Sequence, residues 1–332
     1  MKDLIYTKED AEALCAIAIA ADRGGRDAYV IKLSDETWAK LHELNGDAWR
    51  SVSGRGVEVI HHLPPSLLSH TVSIDLVGCG GNGSLMLSGL ARLDRALRGL
   101  GHKGLKVTTY DPDTVSETNV GRQMFYPSDI GHNKAVILTN RINHCFGLNW
   151  KATPARYTPD FEDLPGQSEL LITCVDSAKT RAEIGAAWTA SQIGKQWADH
   201  YWLDLGNRAA DGQVILGFNS AHHKQVALPC VTDLYPEITA GTVPDDDAPS
   251  CSLAEALARQ QLFINQAVTT EALELVWKMF RFGQIDHHGL FINLNPRSVR
   301  RLDIDPEAWA RFGYQPRPTK PSKPTKRKGR KA

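Results

Sequence analysis

Ile74-Asp75-Leu76-Val77-Gly78-Cys79-Gly80-Gly81-Asn82-Gly83 is the stretch whose reading decides the fold. An apolar strand runs straight into glycines at 78, 80, 81 and 83, which fit G-x-G-x-x-G, and a helical pattern follows over residues 84–97. A strand before the glycines and a helix after them is the context a phosphate-cradling loop requires. Glycine lets the backbone turn sharply and approach a phosphate closely, and the free N–H groups of the helix start attract the anion. The same pattern without a ligand is a plain strand–helix turn.

Outward from this loop, strand patterns fall at residues 72–77, 105–110, 170–175, 202–205 and 213–218. Helical patterns lie between them at 84–97, 134–145 and 180–195, and a further one spans 253–279. Such alternation predicts an α/β fold: a Rossmann-like, doubly wound, mostly parallel sheet with helices on both faces. Residues 1–70 read as an N-terminal extension with a helix over 11–21. His61-His62-Leu63-Pro64-Pro65 reads as its linker, because paired prolines remove backbone donors. Residues 71–312 form the nucleotide-binding domain. Residues 313–332, rich in Pro, Lys and Arg, have too little apolar surface to offset their ordering entropy and are expected to be disordered.

The residues after the second strand say what the loop is for. Asp111-Pro112-Asp113 ends that strand, followed by Asn119, Arg122, Gln123 and Lys134. Asp111 lies 28 residues beyond Gly83, later than the dinucleotide fingerprint places its acid, yet able to accept from ribose hydroxyls. A hydride-transfer site has no need of paired cations. Arg122 and Lys134, with Asn119 and Gln123, suit a triphosphate attacked at its α-phosphorus, where charge builds on the phosphate oxygens. Each cation alone reads as a solvated surface charge. Asp176, in Cys174-Val175-Asp176-Ser177, follows a buried strand and is placed to hold Mg²⁺ against the phosphates; it also suits a helix N-cap.

Composition narrows the class. The chain has 332 residues, 42% of them hydrophobic, and no apolar run near the ~20 residues of a membrane span. Its start lacks the pattern of a signal peptide, so a cytoplasmic location is expected. The six cysteines form no C-x-x-C pair, which argues against a disulfide framework. The zero net charge conceals a polarity. Residues 315–332 hold eight Lys or Arg and no acid, so the preceding 314 residues carry −8. That basic tail can contact nucleic acid through counterion release, or serve as a solvated tail; it has no aromatics for base stacking.

Taken together these motifs resemble the ThiF/MoeB/HesA superfamily, whose members activate ubiquitin-like proteins. The glycine loop, Asp111-Pro112-Asp113-Thr114-Val115 with Asn119, Arg122 and Gln123, Ile130-Gly131 with Lys134, and Cys174-Val175-Asp176 with Arg181 are similar to its ordered signatures. Residues 201–207 and Pro249-Ser250-Cys251-Ser252 look most like the ThiF-type proteins of PRTRC cassettes. The resemblance implies ATP as cofactor and an attack by the C-terminal carboxylate of a β-grasp, ubiquitin-like partner on its α-phosphate. It further implies ribose binding by Asp111 within the D-x-D that includes Asp113. Phosphate handling falls to Asn119, Arg122, Gln123 and Lys134, and Mg²⁺ binding to Asp176.

It also implies a homodimer, some members supplying an arginine in trans from the N-terminal segment; Arg23, Arg26, Arg50 and Arg55 are all candidates here. Cys251 resembles the family's acceptor cysteine, and a thiol at a helix N-terminus is activated, though a small buried hydrophobe is the alternative. Cys230-Val231-Thr232-Asp233 resembles a zinc-binding C-x-x-C whose second cysteine is Asp233; Asp286, His287 and His288 stand near the place of the second pair, so structural zinc is not expected. The rival readings are a non-catalytic, nucleotide-binding ThiF-like adaptor and a nicotinamide or flavin oxidoreductase.

Overall fold

A computed structural model describes residues 31–34, 57–159, 168–193, 200–219, 227–242 and 260–314. Its strands are β1 (Ile31–Ser34), β2 (Val57–His62), β3 (Val72–Val77), β4 (Leu105–Tyr110), β5 (Lys151–Thr153), β6 (Leu170–Thr173), β7 (His200–Asn207), β8 (Asp211–Asn219), β9 (Gln284–Ile285), β10 (His287–Leu294) and β11 (Arg297–Asp303). The helices are α1 (Gly81–Gly99), α2 (Lys134–Phe146), α3 (Ala178–Ile193), the short α4 (Val231–Leu234) and α5 (Pro236–Thr239), α6 (Ile264–Phe282) and α7 (Pro306–Ala310).

Eight strands form the main sheet in the order β11-β10-β8-β7-β6-β3-β4-β5. The five from β7 to β5 are parallel, and β8, β10 and β11 extend them antiparallel. The expected α/β architecture with a mostly parallel sheet is therefore present. β3 and β4 carry the bounds expected of them, and β6 ends two residues early. The antiparallel half was not expected. It begins at the tight return between β7 and β8, where Arg208 N–H donates to the Asp211 carbonyl at 2.8 Å.

Alternate residues of a strand face opposite sides of a sheet, and β7 shows which helices cover each. Asn207 meets Asn82 of α1 and Asn265 of α6 on one face. On the other, Asp204 meets Arg181 of α3, and Trp202 lies 5.8 Å, ring to ring, from Trp188 of α3. Both faces are thus covered, and Leu170, Leu171, Ile172 and Leu203 in the central strands are buried.

A second sheet, β1-β2-β9, fastens the N-terminal side to the domain. His61 and Leu63 correct the linker reading. His61, in β2, is fully buried, its Nε2 at 2.7 Å from the Tyr201 hydroxyl, and Leu63 N–H donates to the Gly283 carbonyl at 2.9 Å. The prolines do not interrupt this packing because Pro65 begins a 3₁₀ turn, where its missing N–H has no bond to make. The helix expected over 253–279 also shifts. Residues 260–263 form a turn anchored by Gln261 N–H on the Ala209 carbonyl at 2.7 Å, and α6 starts only at Ile264. The predicted helix over 11–21, the segment 253–259 and the basic tail lie outside the described residues.

His288 in β10 is fully buried, with Nδ1 at 2.9 Å from the Leu216 carbonyl and Nε2 accepting from Trp309 Nε1 at 2.6 Å. That arrangement uses the neutral ring, and burial pushes its pKa down from 6.5 to about 4. The unfolded chain takes up this proton first on acidification. The contribution to stability is therefore full above pH 6.5 and is lost as the pH falls toward 4. At 1.36 kcal/mol per unit the total is about 3 kcal/mol. Glutamine can serve both partners without titrating. The urea midpoint of His288→Gln is expected to fall less between pH 7 and pH 4.5 than that of the parent chain; equal losses would remove His288 as the source.

Candidate functional site

The order of the main sheet reverses at β3. β4 and β5 lie to one side and β6 and β7 to the other. Ligands of open α/β sheets bind at such a switch point, beyond the carboxyl ends of the strands. Val77, Tyr110 and Thr173, the last residues of β3, β4 and β6, stand side by side in register. The three loops that leave them, with the first turns of the helices that follow, carry the described candidate nucleotide-site residues.

The glycine loop is shaped by close approach. Gly78 has φ +88°, and a Cβ there would lie 2.8 Å from the Cys174 carbonyl oxygen. A Cβ on Gly83 would lie 1.8 Å from the Gly78 carbonyl oxygen, and one on Gly81 would meet the Asn265 amide at 2.7 Å. Gly80, the N-cap of α1, is different: the nearest atom to its Cβ position is Gln123 Nε2 at 3.8 Å. The open space is therefore at Gly80, over the start of a 19-residue helix with no acid in its first turn. Such an end attracts an anion. Asn82 turns its side chain away from that space. Its amide donates to Asn207 Oδ1 at 3.0 Å and its carbonyl accepts from Asn265 Nδ2 at 2.8 Å, so what it offers a ligand is its backbone N–H.

The loop after β4 is organised by two side chains. Asp111 is buried and accepts from Cys79 N–H at 2.6 Å with one oxygen and from Asp113 N–H at 2.9 Å with the other. Burial raises its pKa, opposed by those two amides. Asp111 thus ties the glycine loop to the D-x-D turn, the turn-capping task open to an acid at a loop start. Asn133 was missed altogether. It donates to the carbonyls of Asp111 and Asp113 at 2.8 and 3.0 Å and caps α2 by accepting from Val136 N–H at 3.0 Å. A polar residue just before a helical run was the signal for it. Lys134, the first residue of α2, has a largely covered side chain whose Nζ is 2.9 Å from the exposed carboxylate of Asp113.

Asn119 is buried and accepts from Ser116 N–H at 3.0 Å through its side chain, while its carbonyl accepts from Gln123 N–H at 2.9 Å. That turn presents Arg122 and Gln123. Arg122 donates from Nη1 to Gln260 Oε1 at 3.2 Å. Its Nε and the Oε1 of Gln123 are buried without a hydrogen-bond partner among the described residues. Burial alone pushes the Arg122 pKa down. Orphaned buried donors and acceptors cost about 1–3 kcal/mol each, and a ligand that satisfies them recovers that cost.

The third loop, residues 174–177, holds Asp176 exposed, and its carboxylate makes no hydrogen bond or ion pair among the described residues. Arg181 holds this loop. Its Nη2 donates to the carbonyls of Val175 at 2.5 Å and Leu205 at 3.2 Å, its Nη1 to that of Asp176 at 3.4 Å, and its Nε to the fully buried Asp204 at 2.9 Å. Asp204 also accepts from Thr173 Oγ1 at 2.6 Å, so the buried pair is hydrogen-bonded on both sides. Nothing in the sequence around Asp204 announced this.

The structure thus brings together Gly78, Gly80, Gly81, Asn82, Gly83, Asp111, Asp113, Asn119, Arg122, Gln123, Lys134 and Asp176 at one end of the sheet. Cys251 and the candidate arginines 23, 26, 50 and 55 lie outside the described residues. Two thiols line the loops, Cys79 and Cys174, and burial pushes both pKa values up, away from thiolate chemistry. Cys230 is buried with Sγ at 3.2 Å from Thr232 Oγ1, and Asp233 accepts from its N–H at 2.9 Å. Aspartate at the family's second cysteine position therefore caps a turn. No group of three or more His, Cys, Asp or Glu able to hold a metal occurs among the described residues.

The glycines separate by consequence. Gly83→Ala forces a methyl into the Gly78 carbonyl and is expected to lower the thermal midpoint sharply. Gly80→Ala has room and is expected to fold, but to weaken ATP binding by about tenfold or more, 1.4 kcal/mol, by filling the space over the helix start. Thermal melts and nucleotide titrations of both variants check this; unchanged ATP affinity in Gly80→Ala would move the ligand elsewhere.

Among solved structures, E. coli MccB with ATP is 13% identical over 72% of this chain and 65% of its own, at a TM-score of 0.47. E. coli MccB with selenomethionine MccA is 14% identical over the same shares, at 0.47. Selenomethionine PaaA is 15% identical over 90% of this chain and 83% of its own, also at 0.47. The chain thus spans just under two thirds of the length of MccB. No curated protein matches. The ThiF family model matches residues 67–308, from the turn before β3 to α7, and the chain belongs to the ThiF family.

Proposed function

We propose that this protein uses ATP to adenylate a carboxylate. The observation that carries the reading is the pair of orphaned buried polar atoms, Arg122 Nε and Gln123 Oε1, on the turn whose Gln123 Nε2 lies 3.8 Å from the Cβ position of Gly80, the glycine that leaves space over the start of α1. Membership of the ThiF family supports it. In the reaction a carboxylate oxygen bonds to the α-phosphorus of ATP, the bond to the bridging oxygen breaks, and pyrophosphate leaves with that electron pair.

The chain's own residues supply position and charge. The first N–H groups of α1 and the guanidinium of Arg122 face phosphate oxygens, and Gln123 orients the same group. Lys134 exchanges Asp113 for a phosphate oxygen. Asp111 keeps lone pairs beyond those taken by Cys79 and Asp113, and these accept from the ribose. Asn119 supports the turn that presents Arg122. Asp176 would hold Mg²⁺ jointly with the phosphates, and the ion would supply charge neutralisation there. No protein nucleophile is needed for this step, because binding both reactants in contact removes most of the entropic barrier.

The finer assignments belong to the same proposal. The substrate is the C-terminal carboxylate of a β-grasp, ubiquitin-like protein, and the working form is a homodimer. In a later covalent step the Cys251 sulfur bonds to the acyl carbon of the adenylate, and AMP leaves with the electron pair of the broken carbon–oxygen bond.

Pyrophosphate exchange with small proteins bearing a free C-terminus tests it. Arg122→Ala is expected to lower exchange by about 10²–10³-fold, as for loss of one charge-stabilising donor. Asp176→Ala is expected to abolish it, and Cys251→Ala to spare exchange while blocking only the covalent product. A full set of products from Cys251→Ala would end the acceptor role. Nucleotide binding without exchange for any carboxylate would favour the adaptor reading.

A further inference from the structure

Three asparagines meet behind the start of α1. Asn82 is the second residue of that helix, Asn207 ends β7, and Asn265 is the second residue of α6. Asn265 Nδ2 donates to Asn82 Oδ1 at 2.8 Å and to Asn207 Oδ1 at 3.1 Å. Asn82 Nδ2 donates to the same Asn207 oxygen at 3.0 Å, and Asn207 Nδ2 turns the other way, to the Arg208 carbonyl at 3.1 Å. Asn82 and Asn265 are buried. The triangle has a direction: Asn265 gives two hydrogen bonds, Asn207 takes two, and Asn82 gives one and takes one. A side-chain amide has two donors on its nitrogen and two lone pairs on its oxygen. The triangle therefore uses both donors of Asn265 and both lone pairs of Asn207.

What the triangle holds is the backbone that faces the open space at Gly80. The α1 ladder begins with Ser84 N–H on the Gly80 carbonyl at 3.0 Å, so the N–H groups of Gly81, Asn82 and Gly83 precede it and have no partner within the helix. Local restraint there is weak. The N-cap is Gly80, which has no capping side chain, and Gly81 and Gly83 add backbone freedom. Asn265 supplies the restraint from outside the helix. Its amide lies against Gly81, where a Cβ would come within 2.7 Å of Nδ2, and it holds the Asn82 side chain. Thr269, one turn further along α6, adds a bond from Oγ1 to the Asn82 carbonyl at 3.5 Å.

We propose that Asn265 is a positioning residue for the phosphates of ATP: through Gly81 and Asn82 it aims the N–H groups at the start of α1. The identity of the ligand rests on the adenylation reading. The role itself follows from the direction of the triangle. Position 265 must donate twice, which an amide can do and a carboxylate cannot, whereas the two bonds that end on position 207 need only an acceptor.

The full chain and three variants are titrated with ATP and Mg²⁺ by calorimetry, and their thermal midpoints are measured without nucleotide. Asn207→Asp keeps an oxygen that accepts from both donors. Asn265→Asp removes both donors and sets a carboxylate against two carbonyl oxygens, while α6 itself is not weakened, because aspartate suits the first turn of a helix. Each variant adds one negative charge to the same cluster, so the ratio of their affinities reports the direction of the bonds. Asn265→Asp is expected to bind ATP at least about tenfold more weakly than Asn207→Asp, and the neutral Asn265→Ala about tenfold more weakly than the parent chain.

A residue that only braces the fold would lower the thermal midpoint and leave the folded protein with parental ATP affinity. Parental affinity in folded Asn265→Ala, or equal affinities of the two aspartate variants, therefore overturns the positioning role and leaves the adenylation reading standing. A parent chain that binds no ATP overturns both. If Asn265→Asp does not fold, the Asn265→Ala titration decides alone.

Discussion

Everything at the nucleotide end of the sheet depends on one junction, the close passage of Gly78 between its neighbours. Its N–H donates to the Tyr110 carbonyl at 2.8 Å, and its Cα hydrogens lie against the Cys174 carbonyl, where a side chain cannot fit. One residue later, Cys79 N–H is taken by Asp111. Loops from β3, β4 and β6 are thereby joined within two residues. The backbone groups that would otherwise stand unpaired at the strand ends are satisfied by the very contacts that set the loop shapes. A glycine at 78 is thus a requirement of strand packing before it is one of ligand approach.

The same economy governs the charges. Buried ionic groups are tolerated only when paired and further hydrogen-bonded. Asp204 and Arg181 meet that condition, and the donors left on Arg181 hold Val175 and Asp176 by their carbonyls. Asp111 meets it through two backbone amides. Around these satisfied groups stand three that are not committed deep in the fold: Asp176, exposed on its loop; Lys134, held by an exposed partner; and Arg122, with Nε buried and unpaired among the described residues. The contrast sorts the site. Committed groups set geometry, and uncommitted ones are left for a ligand that carries phosphate and metal.

Much of this was legible beforehand, and what was not has a common physical cause. β3, β4 and α2 could be read because their apolar patterns and punctuating residues are local. The glycine loop, the D-x-D turn and the 174–177 loop could be assigned to one end of the sheet because parallel topology leaves no other place for them. The roles within the site were less visible. Asp111 finds its amide donor 32 residues earlier in the chain, and Asn82 meets its amide partner 183 residues later. Neither distance has a sequence signature, so both residues were read as ligand contacts when much of their hydrogen bonding serves the fold. The antiparallel half of the sheet was hidden for a related reason. A strand's direction is fixed by the return that precedes it, and the turn between Asn207 and Asp211 has the same composition as an ordinary loop. The prolines at 64 and 65 misled in the other direction, since a lost N–H matters only where a bond was needed.

One contact bears on the step beyond nucleotide binding. Arg122 Nη1 donates to Gln260 Oε1, and Gln260 is the first described residue after the stretch that contains Cys251. The next residue, Gln261, is pinned to Ala209 at the end of β7, and α6 then starts at Ile264 with Asn265 inserted between Asn82 and Asn207. From Arg122 to the root of the Cys251 stretch there is therefore one hydrogen bond among the described residues, and beyond that root the chain is fixed. Only one of the five guanidinium donors is committed to Gln260, so a phosphate that engages the orphaned Nε can leave that bond in place, and one arginine then serves both the glycine-loop end and the root of the Cys251 stretch.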